Sequence, residues 1–166
     1  KKNYVKVRVK AAGLCGSDIQ KIFSDKKALN SVKTNIWWHE VSGVVYEVGK
    51  NVKNFTKGGK VVVNPLIRNK KDDFITEAKS IGKDFPGGFA EYVLVPYQNL
   101  RKIPKKIEFE EAILVDSIAV ALHGYNLSSS PINKNILIIG DGSLALITSF
   151  LCLEFNNKVT IVGKNP

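Results

Sequence analysis

The apolar positions change period along this chain, and each change predicts a different element. In Tyr4 to Ala12, YVKVRVKAA, Val5, Val7 and Val9 alternate with Lys6, Arg8 and Lys10. A two-residue period marks a strand with one buried face, and Gly13 is expected to break it. Further β-branched runs at Gly43 to Val48, Lys60 to Val63 and Ala90 to Val95 are separated by Gly, Asn and Lys turn chemistry. Short strands joined by glycine-containing turns predict a small barrel or sandwich for roughly the first hundred residues. Leu66 to Asp84 is polar and irregular and reads as a surface excursion.

After Pro104 the period lengthens. Phe109 to Leu127 places Ala112, Ile113, Ile118 or Ala119, and Leu122 at helical spacing, with Glu110 and Glu111 in the first turn where the helix dipole favours them. Ser128 to Asn133 reads as a linker. Asn135 to Ile139 is an uninterrupted apolar strand of the parallel, buried kind. Ser143 to Phe155 follows as a mostly apolar helix, and Lys158 to Val162 as a second strand. The pattern therefore predicts a β-rich domain over 1–127 and the start of an α/β domain over 128–166.

Composition narrows the classes. Of 166 residues, 44% are hydrophobic, enough for a globular core and against disorder. No apolar run approaches the ~18 residues of a membrane span, so no membrane partner is expected. The net charge of +10 comes from 25 basic residues, mostly scattered lysines. No aromatic residues interleave with them as a base-stacking surface would require, so nucleic acid is not the expected partner. Two cysteines, Cys15 and Cys152, make no disulfide framework, and a reducing cytoplasm is expected. The chain opens Lys1-Lys2-Asn3 without an apolar leader and contains no methionine. A piece of a longer protein is the expectation.

The chemistry begins at Gly140-Asp141-Gly142-Ser143-Leu144-Ala145. It fits G-x-G-x-x-G/A, between a predicted strand and a predicted helix, where a dinucleotide-binding turn belongs. Gly140 suits the tight turn, Gly142 lets the backbone approach a pyrophosphate, and Ala145 lets the helix pack close to the sheet. The acidic residue that would hold an adenosine ribose belongs near the end of the second strand. Val162-Gly163-Lys164-Asn165 stands there without a carboxylate, which favours NADP over NAD, with Lys164 as the candidate partner of a 2′-phosphate. In the front half, Cys15 lies just past a strand, and His39-Glu40 lies before one. Zinc accepts all three side chains, and a catalytic zinc takes three protein ligands and keeps one open position. Asp116, at the start of DSIAVALHGY, offers another carboxylate.

Taken in order, AAGLCGSD, HEVSGVVYEVG, KGGKVVVNP, GGFAEYV, DSIAVALH and GDGSLA resemble the zinc-dependent medium-chain dehydrogenase/reductase family, over nearly the whole chain. The resemblance implies a GroES-like barrel followed by a Rossmann domain. It makes Cys15 and His39 zinc ligands, with Glu40 or Asp116 completing the set. It makes Ser17 the hydroxyl that relays the alcohol proton, and Asp18 the carboxylate standing behind the ligands; these two are the catalytic candidates. His123 is expected to pack against the core with no role at the metal. The activity implied is hydride transfer between a nicotinamide cofactor and an alcohol, polyol or sugar phosphate, in a homo-oligomeric full-length protein.

Three departures stand out. Trp38 occupies the place before His-Glu where the family usually has glycine. Asp116 is one methylene shorter than the glutamate of polyol dehydrogenases. No cysteines lie between Cys15 and Cys152, so the four-cysteine structural zinc lobe is missing. With the Gly163-Lys164 ending, this is most similar to the ribitol-phosphate reductase branch. The alternatives are a zinc-free quinone-reductase-like relative and a non-catalytic GroES-like binding module. A parallel sheet built from 135–139 and 158–162 alone would be two strands wide with exposed faces. The 166 residues by themselves are therefore expected to be inactive.

Overall fold

The computed structural model describes residues 1–24, 36–67, 79–129 and 131–164. It contains two compact units, Lys1–Leu114 and Val115–Pro166. In the first unit the chain runs through β1 (Tyr4–Gly13), α1 (Gly16–Ser24), β2 (Glu40–Val48), β3 (Lys60–Val63), β4 (Leu66–Ile67), β5 (Lys79–Ser80), β6 (Tyr92–Pro96), β7 (Leu100–Lys102) and the short helix α2 (Phe109–Ala112). Five strands form one antiparallel sheet in the order β6-β1-β2-β3-β7, and β4 pairs with β5.

The alternation in β1 does what its period requires. Val5 and Val7 are fully buried and join Val41, Val45, Val61, Val95 and Leu100 in one core. Each such side chain stabilises the fold by about 1.5–3 kcal/mol. Two irregularities in the β1–β2 ladder, between Lys6 and Val7 and between Val9 and Ala11, re-aim the strand beyond Val9. Gly13 does not break the strand. It is the last strand residue, paired with Glu40.

The surface-excursion reading of 66–84 fails at its C-terminal end. Residues 68–78 lie outside those described, but Ile81 is 1% exposed and belongs to the core. A bridge to Phe85 and a bond from its N–H to the Pro65 carbonyl (3.0 Å) hold it there. A single apolar residue in a polar run has no period, so pattern alone misses it.

The predicted helix over 109–127 is two helices, α2 and α3 (Val115–Leu127). A capping box starts α2, the Glu108 N–H donating to Glu111 Oε2 at 2.8 Å. Ala112 then packs with Val62 and Ile103 of the first unit, whereas α3 packs on the helix α4 (Ser143–Glu154) of the second. The helix breaks where its two halves join different cores. The compact units thus divide between Leu114 and Val115, with α3 in the second, whereas the hydrophobic pattern ended the first domain at Leu127.

In the second unit β8 (Asn135–Ile139) pairs in parallel with β9 (Lys158–Val162), Ile136 opposite Val159 and Ile139 opposite Val162. The parallel pairing agrees with the sequence pattern, but the strand is not buried. Leu137 is 61% and Ile139 83% exposed, because the sheet is two strands wide and leaves apolar side chains of β8 uncovered. His123 is exposed on α3 rather than packed in the core, while its helix neighbours Ala121 and Tyr125 are buried. Tyr125 stacks on Phe155, ring centroids 4.8 Å apart. Buried Asn157 ties the loops together: its side chain accepts the Lys134 N–H (2.9 Å) and donates to the Pro131 and Cys152 carbonyls (2.8 and 3.0 Å). Among the described residues no helix is long and apolar enough to cross a membrane.

Candidate functional site

The end of β1 and the start of β2 lie side by side, and that places the candidate ligands. Cys15 sits in the two-residue link between β1 and α1. Its carbonyl accepts the N–H groups of Asp18 (2.9 Å) and Ile19 (3.3 Å), and its own N–H donates to Asp18 Oδ2 (3.3 Å). Asp18 is 1% exposed. Its carboxylate therefore holds the cysteine loop from behind, since burying it without partners would be costly. Ser17 is exposed in the first turn of α1.

His39 is half-buried immediately before β2, and Glu40 opens β2, 8% exposed. One ligand atom each from Cys15, His39 and Glu40 lie within 4.8 Å of one another. A tetrahedral zinc with bonds of about 2.0–2.3 Å needs donors roughly 3.3–3.8 Å apart, so small side-chain adjustments bring this trio into range. Thiolate, imidazole and carboxylate are also the donors zinc accepts. Asp116 belongs to the second compact unit, half-buried in the first turn of α3.

Glycines make the room. A Cβ on Gly13 would overlap the Glu40 carboxylate, so the residue paired with Glu40 has to lack a side chain for that arm to lie across it. Gly87 and Gly88 lie against the segment preceding His39. The N–H groups of Gly87, Gly88 and Phe89 donate to the carbonyls of Ile36 (2.7 Å), Trp38 (2.8 Å) and Trp37 (3.1 Å). A Cβ at Gly87 would strike the Trp37 carbonyl, and one at Gly88 the Val41 side chain. Trp38, which replaces the expected glycine, holds φ at +70°. Glycine adopts that conformation freely and tryptophan does so under strain. The clamp of three hydrogen bonds and the contact of its ring with Phe89 hold it in place.

The second unit carries the other candidate. β8 runs into Gly140, whose φ of +130° suits glycine, and Ala145 lies 4.0 Å from where a Gly140 Cβ would be. Gly142 is the N-cap of α4, makes no side-chain cap bond, and has open space around its Cα. The N-terminus of α4 thus has no side-chain cap and has open space at Gly142, as a phosphate site requires. Gly140, Gly142 and Ala145 fit a dinucleotide pyrophosphate. Lys164 is exposed just beyond β9; Asn165 lies outside the described residues. No acidic residue occurs in 162–164, yet the fold brings a carboxylate there. Asp141 Oδ2 accepts the Lys164 N–H at 2.9 Å, and a Cβ on Gly163 would overlap the Asp141 side chain.

Residues 1–105 match the Alcohol dehydrogenase GroES-like domain. The chain belongs to that family. This bears out the resemblance to zinc-dependent medium-chain dehydrogenases, and with it the fold class of a GroES-like barrel followed by the start of a Rossmann domain. L-idonate 5-dehydrogenase of Vitis vinifera is 31% identical over 162 residues, covering 91% of this chain and 44% of its own length. Galactitol-1-phosphate dehydrogenase from Escherichia coli superimposes with a TM-score of 0.86 at 28% identity, over 97% of this chain and 48% of that one. A structure from Sinorhizobium meliloti 1021 bound to NADP superimposes at 0.85, with 26% identity, over 98% and 48%. The chain spans about half the length of these relatives.

Three features of the sites escaped the pattern: Gly13 as the space for Glu40, Gly87-Gly88 as the clamp on the pre-histidine segment, and Asp141 as a carboxylate at the end of β9. Only the position of Gly13, at a strand end beside a candidate ligand, was a signal available in the sequence.

Proposed function

We propose that the protein is a zinc-dependent oxidoreductase that moves hydride between a nicotinamide dinucleotide and an alcohol or ketone of the polyol or sugar-phosphate class. The observation that carries this reading is the trio of Cys15, His39 and Glu40, built from donors suited to zinc and held by two adjacent strand ends. Relatives named for idonate and galactitol 1-phosphate support the substrate class. Lys164 and the NADP-bound structure support NADP(H) as a cofactor. Asp116 is proposed as an auxiliary carboxylate, on the resemblance alone.

When bound, zinc supplies Lewis acidity toward the substrate oxygen, and the dinucleotide accepts or gives the hydride. The protein does the rest. Cys15, His39 and Glu40 would hold the ion. Asp18 is a positioning residue, fixing the cysteine loop through the Cys15 N–H. Ser17, exposed two residues beyond Cys15, would take the substrate's hydroxyl proton and pass it to solvent. Gly140 and Gly142 would admit the pyrophosphate to the N–H groups of α4.

The test is metal content with a second, independent readout. Purified protein is expected to hold about one zinc per chain, and Cys15→Ser to lose most of it. Zinc should also protect Cys15 from alkylation, since a coordinated thiolate is a poor nucleophile toward other reagents. Equal zinc in both proteins, or none in either after supplementation, overturns the assignment. Turnover of polyols and ketose phosphates by the whole protein with NADPH and NADH then tests the substrate class.

A further inference from the structure

The sequence leaves the end of β9 without an acidic residue, yet the space vacated at Gly163 is filled. The side chain of Asp141, from the middle of the Gly140-Asp141-Gly142 turn, lies against Gly163 so closely that a Cβ there would overlap it. Its Oδ2 accepts the Lys164 N–H at 2.9 Å. In a dinucleotide fold the end of the second strand faces the adenosine ribose, and a carboxylate there accepts from the 2′-hydroxyl and repels a 2′-phosphate. In this chain the carboxylate comes from the first strand's turn instead of the second strand's end.

We propose that Asp141 is the residue that discriminates between NAD(H) and NADP(H), its charge penalising the 2′-phosphate against the attraction of Lys164. This rests on the dinucleotide reading of the β8–α4 turn. Asp141 and Lys164 are both exposed and bonded through the Lys164 backbone, so the two opposite charges stand at one strand end. The cofactor ratio is then a balance between neighbouring groups, and removing either charge tips it. A 2′-phosphate carries nearly two negative charges. Repulsion of that charge by one solvent-exposed carboxylate would correspond to a shift of about tenfold in relative affinity. The 2′-hydroxyl of NADH carries no charge and loses at most one hydrogen bond.

The experiment measures binding rather than turnover. The dissociation constants of NADH and NADPH are determined by nicotinamide fluorescence on the purified whole protein, on its Asp141→Asn variant and on its Asp141→Ser variant. Asparagine keeps the shape and an acceptor for the Lys164 N–H. Serine is a second uncharged replacement in case the amide disturbs the turn. Both variants are expected to shift the affinity ratio toward NADPH by about tenfold at low salt, and by less at high salt. Lys164→Ala should move the ratio the other way. A ratio unchanged in both Asp141 variants, with either dinucleotide still bound, overturns this inference alone. Failure of the unaltered protein to bind either dinucleotide overturns it together with the reading it rests on.

Discussion

Gly13→Ala adds one methyl group at the seam between β1 and β2, and the structure says what that methyl meets. Its Cβ would overlap the Glu40 carboxylate oxygen and lie 3.2 Å from Glu40 Cδ and 3.0 Å from Glu40 Cβ. The carboxylate arm can swing aside at an off-rotamer cost of about 0.5–1.5 kcal/mol. Glu40 Cβ cannot swing, because Gly13 and Glu40 are paired across the ladder. The strands must part slightly, an overpacking cost of about 1–3 kcal/mol. The smaller entropy of unfolded alanine returns roughly 0.4–1 kcal/mol. A net loss of about 1–3 kcal/mol follows, at roughly 2–4 °C of melting temperature per kcal/mol for a chain of this size.

Thermal melts of Gly13→Ala, Glu40→Ala and the double variant, without metal, measure it. Truncating Glu40 removes the overlap with its Cδ and carboxylate, so the cost of Gly13→Ala should fall by about 1 kcal/mol in that background, the coupling expected of touching side chains. Gly16→Ala is the control, since nothing lies within 4 Å of a Cβ there. With zinc present, Gly13→Ala should bind the ion about 10–100-fold more weakly, as when a support behind a metal ligand is lost. Costs that simply add, or a Gly13→Ala melt no different from Gly16→Ala, would refute the reasoning.

Two further predictions concern the second unit. Asn157→Ala strips three hydrogen bonds from a side chain 4% exposed, leaving the Lys134 N–H and the Pro131 and Cys152 carbonyls without it. About 2–4 kcal/mol should be lost from that unit in denaturant unfolding; a loss below about 0.5 kcal/mol would show that solvent satisfies those groups. Burial pushes the Cys152 thiol above its ordinary value of 9.0, so folding favours the neutral thiol. That contribution is complete below pH 9.0 and disappears as pH rises through the raised folded value. Cys152→Ala should flatten the alkaline arm of the stability profile, and an unchanged arm would count against it.

Much of this protein was legible in its pattern. The period-two run at Tyr4 to Ala12 specified β1 and its inward valines, because a strand with one buried face has to alternate. The boundaries of β3, β8 and β9 followed from short runs rich in apolar and β-branched residues, and GDGSLA marked its turn because the chain there takes a positive φ at Gly140, which glycine adopts freely. The chemistry of Cys15, His39 and Glu40 was equally readable, since donor type is a property of the residue alone. What the sequence could not contain was distance. His39 and Glu40 reach Cys15 because Gly13 pairs with Glu40 across a ladder whose register depends on the core valines and on two irregularities in β1. The break between α2 and α3 was invisible to a local period, which continues through Leu114 while the two halves pack in different cores. Ile81 is buried by its neighbours and not by any pattern of its own. Asp141 reads as a turn residue in sequence. It becomes a carboxylate at the end of β9 only because parallel pairing sets Gly140 and Val162 side by side, and because Gly163 leaves the space for it.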